Sequence, residues 1–282
     1  MNKNVTNLSN IFTESSNPLN YHDVQVTFDD FSLLYGPKWI NDTLISFVFE
    51  YYRQDIYRKQ AEQMCFIPPE IVQMIKLLPI SEIKQELQSF NLDSKDLVFF
   101  PINDNDTGDQ VGGTHWSLLI FSKEKGEKEG VFTHLDSLQS SQISNNLNSA
   151  IKVANRLKQS NLLDIRTNRT KNNNKSSQSS SSDSKKSSKS NSITKNSNQN
   201  NITNNRSLRS HDDITVIEDK KFPRQANTYD CGLYVILAVT IRAENFRNPN
   251  CGFTTDEINS DTIESLRVQL RKTIEKLYQS QS

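Results

Sequence analysis

Cys231 ends the polar stretch Gln225-Ala-Asn-Thr-Tyr-Asp-Cys-Gly and opens a run that is apolar on nearly all sides until Arg242. Pro249 then forbids further helix, so residues 231 to about 246 read as a buried helix whose N-terminus reaches a surface. A thiol at such a place faces unpaired N–H groups and the positive end of the helix dipole, which favour the thiolate, the form that attacks carbonyls. This spacing alone serves a structural cysteine capping a core helix equally well. A nucleophile also needs a base, and the base needs a third group to orient it. His115 and Asp136 complete such a set: Cys231 attacks, His115 takes and returns the proton, and Asp136 holds the imidazole. The Gln225 amide, beside the Cys231 N–H, offers a second donor to the oxyanion, and losing one such donor costs roughly 100- to 1000-fold in rate. His134, two residues before Asp136, is the alternative base, whereas His22 and His211 fall in or beside stretches expected to be mobile. The Gly112-Gly113 pair before His115 leaves room for a substrate and favours His115 over His134.

The elements that must position these residues are legible as patterns. Leu97-Val-Phe-Phe-Pro-Ile reads as a buried strand. His115-Trp-Ser-Leu-Leu-Ile-Phe and Val131-Phe-Thr-His-Leu-Asp read as a hairpin joined by the charged segment 123–130. A turn centred near residue 126 sets His115 opposite residue 137 and so beside Asp136; in this reading a one-residue slip spoils the pairing. Asn41 or Asp42 caps a helix through Leu44, Phe47, Val48 and Tyr51; Pro69 starts another, and a third runs from Ser81 to about Phe90. Helical spacing recurs from Ser140 to about Gln159 and from Asp261 to Tyr278. Strand patterns stand at Asp23-Val-Gln-Val-Thr-Phe and Ile214-Thr-Val-Ile. The expected fold is α+β, a small mixed sheet packed against helices, with Cys231 at the N-terminus of the central one.

Two stretches bury too little to fold. Residues 1–20 are Asn/Ser-rich, and 165–210 form an Asn/Ser/Lys-rich insertion, both expected to be disordered around a single domain over 21–282. The insertion holds ten of the 33 basic residues against one of the 33 acids, so the zero net charge hides an acidic remainder suited to a basic partner or to solubility alone. It lacks the interleaved aromatics of a nucleic-acid site, and that function is discounted. Cys65, Cys231 and Cys251 show neither a disulfide framework nor zinc spacing, and no metal or other cofactor is expected. Without an 18-residue apolar run or a signal-peptide core, the expectation is a soluble monomer of the cytoplasm and/or nucleus, away from membranes.

His115-Trp116, His134-Leu-Asp136-Ser and Gln225-Ala-Asn-Thr-Tyr-Asp-Cys231-Gly, in that order, look like the ubiquitin-like-protein proteases of the Ulp/sentrin-specific family, with its adenain-like, papain-related fold. Trp39-Ile-Asn-Asp42 is similar to the family's early Trp-Leu-Asn-Asp element, and the resemblance spans about 21–163 and 214–278. Ile102-Asn-Asp-Asn, Gly112-Gly-Thr-His-Trp-Ser-Leu-Leu and the stretch from Asn41 resemble the deneddylase branch more than the SUMO proteases. The resemblance implies a thiol isopeptidase that matures the cullin modifier and removes it from cullins and other proteins, cleaving after the Gly-Gly tail. It also implies that Trp39 and Trp116 flank a tunnel for that tail and that Asp42 contacts the tail backbone. Two flat aromatics exclude any residue with a Cβ and admit glycine. The departures are the insertion between Asp136 and Cys231 and Ile40 in place of leucine. SUMO or ubiquitin as substrate, and a non-catalytic binder of such tails, stay open as alternatives.

Overall fold

Phe12 sets where the fold begins. The computed structural model describes residues 11–107, 112–139, 146–166 and 214–281. Phe12 is completely buried, stacked on Tyr278 at 4.6 Å and packed against Phe31 at 5.2 Å and Phe28 at 6.3 Å. The expected disordered tail to residue 20 is therefore too long: one aromatic with three ring partners buries enough surface to order residues 11–20. Residues 1–10 lie outside the described residues.

Strands β1 (Leu19–Tyr21) and β2 (Val24–Val26) pair antiparallel across a turn in which His22 takes φ 48°. The strand pattern expected to run on through Phe28 stops at Thr27, because Thr27 and Asp30 form a capping box that starts helix α1 (Phe28–Ser32). Asn41, rather than Asp42, caps helix α2 (Asp42–Tyr51), its side-chain oxygen accepting from the Leu44 N–H at 3.1 Å. Strand β3 (Met64–Phe66) follows, then α3 (Pro69–Leu77), which opens on Pro69, and α4 (Ile80–Leu87). Strands β4 (Leu97–Asn103), β5 (Trp116–Ser122) and β6 (Val131–Leu135) lead to helix α5 (Leu147–Ser160); the expected start of α5 at Ser140 falls on 140–145, outside the described residues. The chain resumes with β7 (Val216–Glu218), α6 (Cys231–Arg247) and α7 (Ser260–Gln281).

The main sheet is mixed, in the order β3-β4-β5-β6-β7, parallel at both ends and antiparallel in the middle. Period-two alternation sends Leu97, Phe99, Leu118, Ile120 and Leu135 to one face, where α2, α6 and α7 pack. Val98, Phe100, Leu119, Phe121 and Phe132 go to the other, covered by α3, α4 and α5. Burying each such side chain contributes about 1.5–3 kcal/mol relative to exposure. Helix α6 is apolar all round because sheet, α2 and α7 enclose it. The described residues form one compact unit from both sides of the insertion. Ile165 and Arg166, expected within the insertion, belong to this unit, Ile165 bridging to Gly130; residues 167–213 lie outside the described residues.

The hairpin register differs by one residue from the expected one. Leu118 faces Leu135 and Ser122 faces Val131, so the ladder extrapolates to Ser117 opposite Asp136. Opposed residues point to the same side of a sheet, and so do residues two apart. His115 is thus the diagonal neighbour of Asp136 on one side, where the expected register would have turned Asp136 away. The slip thought to spoil the pairing is what makes it.

Candidate active site

Cys231 is the first residue of α6 and 3 % exposed. Its N–H belongs to the first turn, whose donors have no intrahelical acceptor. The preceding loop is held by Asn227, whose Oδ1 accepts from the N–H groups of Tyr229 at 3.1 Å and Asp230 at 3.0 Å. Asn227 Nδ2 then donates to Asp230 Oδ2 at 2.7 Å, closing a knot one residue before the thiol.

At the end of the sheet His115 Nε2 meets Asp136 Oδ1 at 2.6 Å, both side chains buried. Burial alone would push the imidazole down, but the hydrogen bond and charge of Asp136, with the Cys231 sulfur beside it, push it up to about 9. Among the described residues no other group bonds His115 Nδ1, which leaves that nitrogen to the Cys231 thiol. Asp136 Oδ1 also accepts from the Leu138 N–H at 2.8 Å, which fixes the carboxylate. His134, the alternative base, is completely buried, bonds Ser117 Oγ at 2.8 Å and is pushed down to about 4 by burial. It therefore stays neutral at pH 7 and is tied to the sheet.

The Gln225 amide is oriented by two partners. Its Oε1 accepts from Ser137 Oγ at 2.6 Å, and its Nε2 donates to the Asn227 carbonyl at 2.7 Å. A carbonyl cannot receive the amide oxygen, so the flip is set, and the second N–H of Nε2 remains for a ligand. Ser137 also accepts the Gln225 N–H through its own carbonyl at 3.0 Å, so it orients both ends of Gln225.

A cleft of about 660 Å³ opens over Cys231, lined among others by Trp39, Asp42, Asn103, Gly113 and Trp116. Trp39 is 47 % exposed, which for so large an apolar side chain points to a contact surface. Asp42 is exposed in the first turn of α2, with Oδ1 accepting from the Thr43 N–H at 3.0 Å. The cleft thus brings Cys231 together with the Trp39, Asp42 and Trp116 set, the His115–Asp136 pair is buried beside the Cys231 thiol, and Gln225 is held against Ser137, the residue after Asp136.

Other residues that hold the site were given no role in the sequence. Asp104 accepts from the N–H of Thr114 at 2.6 Å and of His115 at 3.1 Å and from the Thr114 hydroxyl at 2.7 Å, clamping the segment that delivers His115. Burial would raise this carboxyl, yet these donors hold it below the usual carboxylate range. Gly232 lies so close to Ile40 that a Cβ there would meet its Cγ1 at 2.5 Å. Arg267 reaches Asp230 at 2.7 Å from α7. Of these, Arg267 left a signal: it shares a helix face with Ile263, Leu270 and Ile274, a cation inside an apolar stripe. The other two cysteines lie elsewhere. Burial pushes the Cys65 thiol up to about 12, and Cys251 is half-buried and bonded to Asn245 Oδ1 at 3.0 Å. Among the described residues no cluster of His, Cys, Asp and Glu could hold a metal ion, and no helix is long and apolar enough to cross a membrane.

Comparison with known proteins places this geometry. The C-terminal catalytic domain of the Ulp1 protease family matches residues 38–281. Human "Sentrin-specific protease 8" is 31 % identical over 229 residues, 81 % of this chain and 82 % of that protein. Arabidopsis thaliana "NEDD8-specific protease 1" is 35 % identical over 121 residues, 42 % of this chain and 50 % of that protein. The fold is shared with the "Crystal structure of the de-sumoylating protease", with a TM-score of 0.57 at 18 % identity, over 95 % of this chain and 93 % of that one. With its match extending from ahead of Trp39 to the end of α7, and with a thiol at the cleft beside a bonded imidazole and carboxylate, this chain is a cysteine protease and belongs to the Ulp1 protease family.

Proposed function

We propose that the protein is a deneddylating isopeptidase that cleaves after the Gly-Gly tail of the neddylation modifier, both in its precursor and in its conjugates. The observation that carries the reaction type is the buried 2.6 Å His115–Asp136 bond beside Cys231, which lines the cleft. The choice of modifier is supported by the relatives named as NEDD8-specific proteases.

The tail enters between Trp39 and Trp116, with Asp42 accepting from its backbone. The Cys231 thiolate adds to the terminal glycine carbonyl, and the Cys231 N–H with the free Gln225 N–H receives the oxyanion. The His115 imidazolium then protonates the departing lysine or peptide amine, so the C–N bond breaks as the thioester forms. Water, deprotonated by the now neutral His115, attacks the thioester and releases the carboxylate and the thiol. Asp136 keeps Nε2 engaged throughout, which leaves Nδ1 to shuttle the proton. Cullins as conjugates, action as a monomer and a place in cytoplasm and/or nucleus belong to the same proposal.

The test compares hydrolysis of C-terminal amide-dye conjugates of NEDD8, SUMO and ubiquitin by the intact chain and by Cys231→Ala. Cleavage of the first at a rate at least tenfold above the others, abolished by the substitution, is the expected result. Preference for another conjugate would overturn the branch and keep the chemistry. Binding of tail-bearing modifiers with no cleavage would make the protein a binder.

A further inference from the structure

Asp230 poses a problem for the chemistry. It stands immediately before α6 and Cys231, and a negative charge held close to a sulfur disfavours a second one there. The charged groups on the elements around the thiol are His115 at the start of β5, Asp136 after β6, Asp42 from α2 and Glu70 from α3 in the lining of the cleft, Asp230 immediately before α6 and Arg267 from α7. Four of these six are acids. Arg267 meets Asp230 directly, with Nη2 2.7 Å from Oδ1. The same guanidinium donates to the carbonyls of Lys38 at 2.8 Å and Leu33 at 3.0 Å and lies over the Tyr229 ring at 5.9 Å.

Arg267 is 2 % exposed, and among the described residues Asp230 is its ionic partner. A buried ion pair is weak evidence for stability, because desolvating both charges offsets most of their attraction. Here the pair joins two parts of the site. Arg267 Nη2 both neutralises the residue before the nucleophile and pins the Lys38 carbonyl, one residue before Trp39.

We propose that Arg267 is a positioning residue for the thiol chemistry: it cancels the Asp230 charge beside Cys231, leaving His115 as the cation that stabilises the thiolate, and it registers the Trp39 segment against the nucleophile helix. The proposal rests on Cys231 being the nucleophile. It differs from a structural role in making opposite predictions for the two halves of one ion pair. A structural role makes either substitution harmful, whereas a charge-balancing role makes loss of Arg267 slow the thiol and loss of the Asp230 charge speed it.

The experiment follows alkylation of Cys231 by iodoacetamide against pH in the full chain, read by peptide mass spectrometry, for the parent, Arg267→Met, Asp230→Asn and the double variant. Arg267→Met is expected to shift the profile to higher pH and slow alkylation at pH 7 about tenfold. Asp230→Asn is expected to shift it to lower pH, and the double variant to return within about threefold of the parent. Arg267→Lys keeps the charge but not the fork, so its profile stays near the parent while KM for the modifier conjugate rises. A folded Arg267→Met with the parent profile, or a double variant as slow as Arg267→Met, overturns the proposal. So does an Asp230→Asn that is slower than the parent, and this variant decides alone if Arg267→Met does not fold. Alkylation needs no substrate, so failure of the peptidase reading appears separately, as absent cleavage by a parent whose thiol still reacts.

Discussion

The His115 imidazole carries opposing demands. In the proposed mechanism it must be cationic to stabilise the thiolate and protonate the leaving amine, and neutral to activate water. A value near 9 favours the first, so acylation is ready at neutral pH and fails on the alkaline side as the proton leaves. Asp136→Asn removes the charge that opposes desolvation, so the alkaline limb of kcat/KM moves to lower pH and kcat falls about 1000- to 10,000-fold. A pH profile of conjugate hydrolysis checks both, and an unmoved limb would assign the titration to another group. The same shift contributes to stability. Because the folded value lies above the unfolded one of about 6.5, the contribution is fully present below pH 6.5 and lost as pH rises through about 9. His134 has the opposite sign, its contribution present above about pH 6.5 and lost as pH falls toward 4. Sequence reading separated these histidines by the room that Gly112-Gly113 leaves; the structure separates them by partner, a carboxylate for one and a hydroxyl for the other.

Helix α6 and the hairpin of β5 and β6 are the elements that meet at the site, and their legibility in the sequence differed. The apolar run and Pro249 marked α6 closely, because a helix enclosed on all sides needs no periodic stripe. The hairpin was recognisable but its register was not, since the charged segment 123–130 offers no sharp turn signal and one residue of slack reverses every side chain. Phe12 went unnoticed because an aromatic inside an Asn/Ser-rich tail gives no local sign of its partner Tyr278, more than 260 positions away. Contact between α6 and the Trp39 segment was equally invisible. A Cβ on Gly232 would meet Ile40 Cδ1 at 2.8 Å and Trp116 Cδ1 at 3.4 Å as well as Ile40 Cγ1, and Ile40 is buried and cannot swing away. Gly232→Ala is therefore expected to cost about 1–3 kcal/mol and to raise KM by displacing the Trp39 wall. Adding Ile40→Val, which removes Cδ1, recovers part of both in urea unfolding and steady-state assays. Unchanged KM in Gly232→Ala would show that the wall is not set by this contact.

For the molecule as a whole, the two stretches flanking 167–213 belong to one unit, with Leu163 and Ile214 in the same core cluster. Closure entropy changes by only about 0.6 kcal/mol per doubling of loop length, so replacing 167–213 by a ten-residue Gly/Ser linker is expected to leave unfolding free energy within about 2 kcal/mol. Cleavage of the isolated modifier conjugate is expected within about threefold of the full chain; a larger loss would assign the segment a part in substrate binding. The proposed chemistry turns on one thiol, Cys231, as the nucleophile for the modifier's Gly-Gly tail. The most direct test treats the full chain with the modifier bearing a C-terminal electrophile and maps the adduct by peptide mass spectrometry. An adduct on Cys231, absent in Cys231→Ala and formed at least 100-fold more slowly in His115→Ala, is the predicted result. An adduct on Cys65 or Cys251, or an undiminished rate without His115, would contradict it.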